Sequence, residues 1–392
     1  MASDRNSTTT GSPFDWLISP QTQVFKLKEP FYLESGVALA DVQVAYRTWG
    51  ELNCDRTNAI LVCHALTGWA DVDNWWEPLL GPGRALDPER DFILCSNILG
   101  GCYGTTGPTS INPQTGQPYG PAFPAITVRD MVHLQAALVR ELGIASLQMV
   151  IGGSLGGMQV LEWALLYPDQ VQTIVPIAAS GRHSAWCIGL NEAQRQAIYA
   201  DPHWQAGLYS SKQPPAQGLA AARMMAMCTY RSWASFDQRF GRQWQPTATG
   251  QELAMIEDRP WAIATYLRHQ GEKLVERFDA NTYITLTRAM DSHDIARDRA
   301  DYETVLESIH QRALVVAIDS DVLYPPVEQQ ELAAFIPHAE LAWLRSPHGH
   351  DAFLMQVDMD VLNTLVADFR SLQKEQDVKA AKDYVFNSSL NR

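Results

Sequence analysis

The chain of 392 residues lacks the cysteine patterns that hold a structural zinc ion. Its six cysteines stand at positions 54, 63, 95, 102, 187 and 228, so that no pair has C-x-x-C spacing. No compact cluster of cysteine and histidine is present either. We therefore expect neither a bound metal nor any other permanently bound cofactor. The chain is also too long to be a small disulfide scaffold.

Long apolar runs and an excess of basic residues are lacking as well. No run of about 18 uncharged apolar residues appears, and the first six residues do not resemble a secretory signal. The net charge is −14 at pH 7, which repels nucleic-acid phosphates and anionic membranes. These absences predict a cytoplasmic protein that binds neither nucleic acid nor membrane.

Short apolar runs alternate with amphipathic segments over much of the chain. The amphipathic segment at 128–142 separates two of these runs. Fully apolar runs of this length are typical of strands buried on both faces of a parallel sheet. Two β-rich runs with polar breaks, at 24–33 and 42–48, precede them and suit antiparallel strands. The pattern predicts an α/β domain with a mostly parallel central sheet. The apolar runs are 59–63, 92–96, 149–151, 174–178 and 314–318.

The alternation stops between residues 182 and 300, where segments of helical period are separated by proline and polar turns. These segments are 193–199, 218–227, 251–278 and 281–290. We therefore predict a core made of residues 21–181 and 301–392, with 182–300 inserted as a helical lid over the carboxyl ends of the strands. Residues 1–20 begin with many serines and threonines and are predicted to be a disordered or loosely ordered tail.

The pentapeptide Gly152–Gly156 carries the G-x-S-x-G pattern around Ser154. It lies between an apolar run at 147–151 and a helical stretch at 155–167, which is the strand–turn–helix context of a nucleophile elbow. Small residues beside the serine permit a turn too tight for larger side chains, so that Oγ projects from the sheet. We predict that Ser154 is a nucleophile.

A serine nucleophile needs a general base and a carboxylate that orients the base. In an elbow enzyme the acid and then the histidine follow the serine along the chain. Asp319 and Asp321 follow the last apolar run, and His348 and His350 precede an apolar segment at 352–362 that is predicted to be helical. One acid and one histidine are expected to act, but spacing does not choose within either pair.

Backbone N–H groups are expected to stabilise the oxyanion that forms when the serine attacks. One would come from Leu155, directly after the nucleophile, and the other from the loop at 64–68. His64 in that loop is predicted to be structural, because the catalytic base comes late in the chain. The glycine-rich loop at 97–108 lacks the G-x-G-x-x-G fingerprint. It is either an ordinary connection or the lining of a passage beside the site.

Several motifs spread over residues 31–362 closely resemble those of the homoserine O-acetyltransferases, which are acyl-CoA-dependent enzymes of the α/β-hydrolase fold. The resemblance selects Asp321 and His350 as the partners of Ser154. It adds Leu66 to Leu155 as an oxyanion donor. The motifs include NAILVCHALTG, DNWWEPLLGPGRALD, SNILGGCYGTTGP, FPAITVRDMVHLQ, IGGSLGGMQVLEWA, GLAAARMMAMCTYRS and HGHDAFL.

The resemblance also implies the substrates. Arg223 would bind the carboxylate of an amino acid, with Arg231 as a nearby alternative, and Asp351 would hold the α-ammonium group. The implied reaction is ping-pong transfer of an acetyl group from acetyl-CoA to L-homoserine, which gives O-acetyl-L-homoserine for methionine biosynthesis. A homodimer joined through the helical insertion is implied too. A succinyl donor, a serine acceptor and a hydrolase of the esterase type remain as alternatives.

Overall fold

The computed structural model describes residues 14–245 and 260–371. Eight strands of the described chain form one sheet in the order β1-β4-β6-β5-β7-β8-β9-β10, and β2 pairs with β3 in a separate two-stranded sheet. The strands are β1 (Gln23–Lys26), β2 (Phe31–Tyr32), β3 (Ala38–Leu39), β4 (Gln43–Trp49), β5 (Ala59–Cys63), β6 (Phe92–Ser96), β7 (Leu147–Gly153), β8 (Thr173–Ile177), β9 (Arg312–Ile318) and β10 (Ala339–Leu344).

The helices flank the sheet and fill the long interval between β8 and β9. They are α1 (Val72–Trp75), α2 (Val128–Glu141), α3 (Leu155–Leu166), α4 (Ala185–Tyr199), α5 (Ala216–Tyr230), α6 (Trp233–Phe240), α7 (Ala262–Val275), α8 (Ala280–Asp291), α9 (Tyr302–Glu307) and α10 (Pro326–Phe335). Residues 359–371 are also helical. In the described part of the chain, no helix is long and apolar enough to cross a membrane.

The central strands are buried on both faces, as their composition predicts. In β5, Leu61 belongs to one apolar cluster, whereas Ile60 and Val62 belong to a second cluster on the other face of the sheet. Strands β6, β5, β7, β8, β9 and β10 are parallel, and β1 and β4 join the β6 edge in antiparallel pairs. The predicted α/β fold with a mostly parallel sheet is confirmed.

Two local predictions are wrong. The β-rich run at 24–33 is not one strand, because β1 ends at Lys26 and β2 pairs in the other sheet. The segment at 352–362 does not begin as an α-helix. It continues as the 3₁₀ turns Gly349–Leu354 and Gln356–Asp358, and the regular helix starts at 359. Strand β10 was not predicted, since its side chains are only partly buried at the sheet edge.

Helices α4 to α8 occupy the interval 182–300 that lacks strand patterns. Of the predicted helix at 251–278, residues 251–259 lie outside the described residues, and the rest contains α7. Of the predicted tail, residues 1–13 also lie outside the described residues. Phe14 packs against Tyr103, with ring centroids 6.2 Å apart, and Asp15–Leu17 form a 3₁₀ turn.

Helix α3 lies very close to the end of β5, and glycine makes this approach possible. A methyl group added at Gly156 would overlap the carbonyl oxygen of Cys63, and one added at Gly152 would lie 2.6 Å from the same atom. Because neither backbone can move without displacing the sheet, the two positions exclude any larger residue. The contact fixes the start of α3 against the loop that follows β5.

We expect Gly156→Ala to lower the free energy of unfolding by about 2 kcal/mol, because the new methyl group overpacks a backbone contact. Gly189 is the matched control. It is also helical but exposed, and a methyl group there meets no atom within 4 Å. Gly189→Ala should be neutral or stabilise by about 0.5–1 kcal/mol through helix propensity. Urea unfolding measures both, and equal effects would contradict the close-approach explanation.

Candidate active site

Ser154 occupies the sharp turn between β7 and α3. Its backbone has φ 58° and ψ −124°, a region that residues other than glycine rarely adopt. The turn is held because the Ser154 N–H donates to the Ile177 carbonyl over 2.9 Å and the Met158 N–H donates to the Ser154 carbonyl. The side chain is 6 % exposed. The sequence context therefore predicted the strand–turn–helix placement of Ser154 correctly.

Asp321 and His350 meet although 29 residues separate them. The His350 Nδ1–H donates to Asp321 Oδ2 over 2.7 Å, and both side chains are buried. The other carboxylate oxygen, Oδ1, accepts from the Leu323 and Tyr324 N–H groups at 2.8 and 3.0 Å. With its lone pairs occupied in this way, the carboxylate holds the imidazole in one orientation.

The alternative acid and histidine lie elsewhere in the same loops. Asp319 Oδ1 accepts from the Ser346 N–H at 3.0 Å, and the Asp319 carboxylate lies 3.6 Å from exposed Arg345. His348 Nδ1 is 3.2 Å from Ser235 Oγ. Both side chains thus stabilise the turns that carry Asp321 and His350, and the geometry favours the second member of each pair.

Gly153, the residue before Ser154, and His350 approach the same aromatic ring. A methyl group added at Gly153 would lie within 2.6 Å of the Phe353 ring, whose centroid is 5.6 Å from that of His350. Among the described residues, no hydrogen bond joins the Ser154 hydroxyl to His350, and such bonds commonly tighten only when substrate binds. Asp321 and His350 thus form a buried carboxylate–imidazole pair, and Phe353 packs against both His350 and Gly153, the residue before Ser154.

The charges around His350 set its basicity. Burial opposes the imidazolium form, but Asp321 and, less strongly, Asp351 outweigh burial and raise the pKa of His350. Burial also raises the pKa of Asp351, against the opposing effects of Arg223, His350 and Arg231. Hence Asp351 shares one electrostatic environment with two arginines and with the imidazole.

Arg223 lies on α5 and packs against the Tyr230 ring, which in turn lies near His350. Its guanidinium carbon is 5.2 Å from the Tyr230 ring, which is 5.9 Å from the ring of His350. Arg231, the alternative, is 4 % exposed and its Nη1 contacts Met355 Sδ at 2.6 Å. Among the residues that the structure describes, Arg231 Nε is buried and has no hydrogen-bond partner. Both arginines thus lie near Asp351.

The Leu155 and Leu66 N–H groups are the two predicted oxyanion donors. Leu155 is the first residue of α3. Leu66 lies in the loop after β5, and Gly156 approaches the carbonyl of Cys63, where β5 ends and this loop begins. Within residues 14–245 and 260–371, neither the Leu155 nor the Leu66 N–H donates a hydrogen bond to the protein. Both residues are buried. Unpaired buried N–H groups are rare in folded proteins and commonly mark a binding function.

His64 in the same loop has a structural environment. Its ring Nδ1 lies 2.8 Å from the Ala65 carbonyl, and the Ile98 N–H donates to its Nε2 over 3.3 Å. Burial lowers the pKa of His64 to about 4. A neutral ring with Nδ1 protonated satisfies both contacts, so His64 ties the loop after β5 to the loop after β6.

Three further side chains of the site gave no signal in the sequence. The Tyr324 ring lies 5.3 Å from the His350 ring at an interplanar angle of 42°, and its hydroxyl lies 3.0 Å from His183 Nε2. Tyr103, in the glycine-rich loop, exchanges hydrogen bonds with Arg277. That loop therefore packs beside the site. Single aromatic residues and arginines have no motif of their own, and only their contacts identify them.

Comparison with known proteins identifies the class first. The family model described as alpha/beta hydrolase fold matches residues 58–355. Among solved structures, that of esterase E22 superposes with a TM-score of 0.80 at 29 % identity and covers 89 % of this chain and 99 % of its own. The homoserine O-acetyltransferase structure from Bacillus anthracis gives a TM-score of 0.80 at 27 % identity, and the match covers 89 % of this chain and 96 % of that one. The chain is therefore an α/β hydrolase in fold.

Sequence similarity narrows this class. The homoserine O-acetyltransferase of Nostoc punctiforme is 67 % identical over 354 residues, which cover 89 % of this chain and 96 % of the relative. The enzyme of the same name from Chlorobium chlorochromatii is 56 % identical over 353 residues, which cover 90 % of this chain and 96 % of the relative. The chain belongs to the homoserine O-acetyltransferase family, as its motifs predicted.

The low pKa of His64 predicts a loss of stability in mild acid. The unfolded chain takes up a proton near pH 6.5 but the folded chain only near pH 4, so stability is present above pH 6.5 and falls as the pH falls. This group alone should cost about 2 kcal/mol between pH 7 and pH 5. We expect His64→Gln to reduce that dependence in urea titrations at the two pH values, whereas His310→Gln, at an exposed position, should not. An unchanged slope in His64→Gln would refute the assignment.

Proposed function

We propose that this protein transfers an acetyl group from acetyl-CoA to the side-chain hydroxyl of L-homoserine through an acetyl-Ser154 intermediate. One observation carries the proposal. The buried Asp321–His350 pair packs against Phe353, which also packs against Gly153 before the strained Ser154 turn, and the neighbouring Asp351 is acted on by the charge of Arg223. The names of the relatives agree with this reaction. The product is O-acetyl-L-homoserine, an intermediate for methionine biosynthesis.

In the first half-reaction, His350 Nε2 accepts the Ser154 hydroxyl proton while Oγ attacks the thioester carbon. The negative charge on the carbonyl oxygen is held by the Leu66 and Leu155 N–H groups. The tetrahedral adduct collapses, the C–S bond breaks, and the proton on His350 passes to the sulfur. Free CoA leaves and acetyl-Ser154 remains. The raised pKa of His350 supports its role, since a stronger base removes the proton more readily.

The second half-reaction repeats these steps with a different nucleophile. His350 removes the proton from the homoserine hydroxyl, whose oxygen attacks the acetyl carbon of acetyl-Ser154. The same two N–H groups hold the second oxyanion. When this adduct collapses, the C–Oγ bond breaks and His350 returns the proton to Ser154. Acetyl-CoA is thus a substrate, and the proposal needs no permanently bound cofactor.

Acceptor choice is proposed to depend on Arg223 and Asp351. A planar guanidinium binds a carboxylate through two parallel hydrogen bonds, and a carboxylate attracts an ammonium group. The two groups influence each other in the structure, so one amino acid could contact both. Water needs neither group. The presence of both charges beside the base favours an amino-acid acceptor over simple hydrolysis.

We propose a further role for residues 182–300 as a lid that also joins two copies of the chain in the cytoplasm. Helix α5 supplies Arg223 and Tyr230 to the site, which supports a covering role. Between α5 and α7 lies a groove of about 440 Å³ whose apolar lining includes Ala220, Met224 and Val275. This groove is the place where we expect a second copy to pack.

A serine hydrolase of the esterase type is the second candidate. The similarity to the esterase E22 structure favours it, because the same fold and a comparable site can pass the acyl group to water. A succinyl donor or a serine acceptor would need only small changes of the pocket, and a single methylene is worth about 1–3 kcal/mol of discrimination. These alternatives differ in which acyl donor and which acceptor the enzyme uses.

A donor-by-acceptor assay tests the proposal. Acetyl-CoA and succinyl-CoA are each combined with homoserine, serine or water, and thiol release is followed with ester formation. We expect a short burst of thiol with acetyl-CoA alone, a mass gain of one acetyl group on Ser154, and steady turnover only with homoserine. Ser154→Ala should abolish burst and turnover. Sustained thiol release without any amino acid would indicate the esterase instead.

Arg223→Met separates acceptor binding from chemistry on the donor. Loss of a charged double hydrogen bond of about 3 kcal/mol should lower kcat/KM for homoserine about 100-fold, mainly through KM. The burst with acetyl-CoA alone should keep its rate. Arg231→Met is the comparison variant. If Arg231→Met raises the homoserine KM and Arg223→Met does not, the carboxylate is bound by Arg231.

A further inference from the structure

We propose that Arg277 is a positioning residue that fixes the oxyanion loop, residues 64–68, for both half-reactions. Arg277 follows the last turn of α7 and lies 210 residues from that loop in the sequence. Its Nη1 donates to the Thr67 carbonyl over 2.8 Å, and its Nη2 lies 3.5 Å from Thr67 Oγ1. The inference deepens the proposed function, because it rests on acyl transfer through Ser154.

Arg277 is itself held in place from two sides. Its Nη1 also donates to the Tyr103 hydroxyl over 2.8 Å, and this hydroxyl donates to the Arg277 carbonyl over 2.7 Å. The guanidinium carbon lies 5.4 Å from the Trp69 ring, which packs 5.8 Å from Tyr103. The backbone and the side chain of Arg277 are thus held together, so that the N–H group that donates to Thr67 points in a single direction.

The charge of Arg277 is directed at neutral acceptors. In residues 14–245 and 260–371, no carboxylate lies within 4 Å of its guanidinium. A charged donor makes a stronger hydrogen bond to a carbonyl than a neutral donor does. The Thr67 carbonyl is therefore held by a charge-assisted hydrogen bond.

The anchored carbonyl lies in the same turn as the Leu66 N–H. The turn is closed by the Gly68 N–H, which donates to the Ala65 carbonyl over 2.9 Å, and Leu66 and Thr67 are its two central residues. Rotation of the peptide after Thr67 would change the backbone angles of the turn and redirect the Leu66 N–H. Because oxyanion stabilisation depends on the direction of the donor, Arg277 acts on the transition state through Leu66.

The expected signature is a loss of kcat with little change in KM. Arg277→Met should lower kcat by about 30-fold, less than deletion of an oxyanion donor, which costs about 10²–10³. The loss should be equal for acetyl-CoA with homoserine and for hydrolysis of p-nitrophenyl acetate, which needs no amino acid. Arg277→Lys should recover part of the rate, because an ammonium can still reach one acceptor.

An inhibitor that mimics the oxyanion makes the test specific. An alkyl trifluoromethyl ketone adds to the serine and places its oxyanion between the Leu66 and Leu155 N–H groups. Its inhibition constant should rise in Arg277→Met by the same factor as kcat falls, a change that a role in stability alone does not produce. Arg140→Met, at an exposed position on α2, is the control and should retain both values. Circular dichroism confirms that each variant is folded at the assay temperature.

The outcomes separate this inference from the proposed function. Unchanged kcat and inhibitor binding in Arg277→Met would overturn it, as would a rise in the homoserine KM alone. If the wild type fails to acetylate homoserine but hydrolyses p-nitrophenyl acetate, the proposed function fails. The ester and inhibitor measurements still decide the role of Arg277 in that case. An equal loss of kcat and of inhibitor affinity in Arg277→Met supports the positioning role of Arg277.

Discussion

The contact between the start of α3 and the end of β5 is the constraint on which the rest of the site depends. Gly152 and Gly156 both face the Cys63 carbonyl at distances that exclude a side chain. This approach forces the chain to turn sharply at Ser154, which accepts a strained backbone conformation. It also brings the loop after β5 beside the first N–H groups of α3. One backbone contact thereby positions the strained Ser154 turn and the loop that carries Leu66 relative to each other.

Electrostatics explain how a chain with a net charge of −14 can suit a negatively charged donor and an amino-acid acceptor. The described residues include Arg223 and Arg231, whose charges act on Asp351, and Arg277, which holds the Thr67 carbonyl, so cationic groups are present here although the whole molecule is anionic. Burial increases the effect of each charge. Asp321 balances His350, whereas Arg223 and Arg231 only partly offset the burial that raises the pKa of Asp351.

The sequence predicted the parts of the site that depend on local conformation. The elbow was recognisable because its glycines, strand and helix are neighbours in the chain. The choice between Asp319 and Asp321 was not, because both follow β9 and only the partner 29 residues later distinguishes them. The roles of Tyr324 and Arg277 could not be predicted either. Their roles arise from contacts between distant segments, and composition and spacing carry no information about such contacts.

The helical region is more than a cover, because it supplies groups to both sides of the proposed chemistry. Arg223 on α5 lies beside Tyr230, whereas Arg277, just beyond α7, donates to the Thr67 carbonyl in the loop that carries Leu66. Helices α5 and α7 pack directly against each other. A displacement of this pair would weaken acceptor binding and misdirect the oxyanion donor together. Under the proposed mechanism, one helix pair therefore couples the arginine assigned to acceptor binding with the arginine that orients the oxyanion loop.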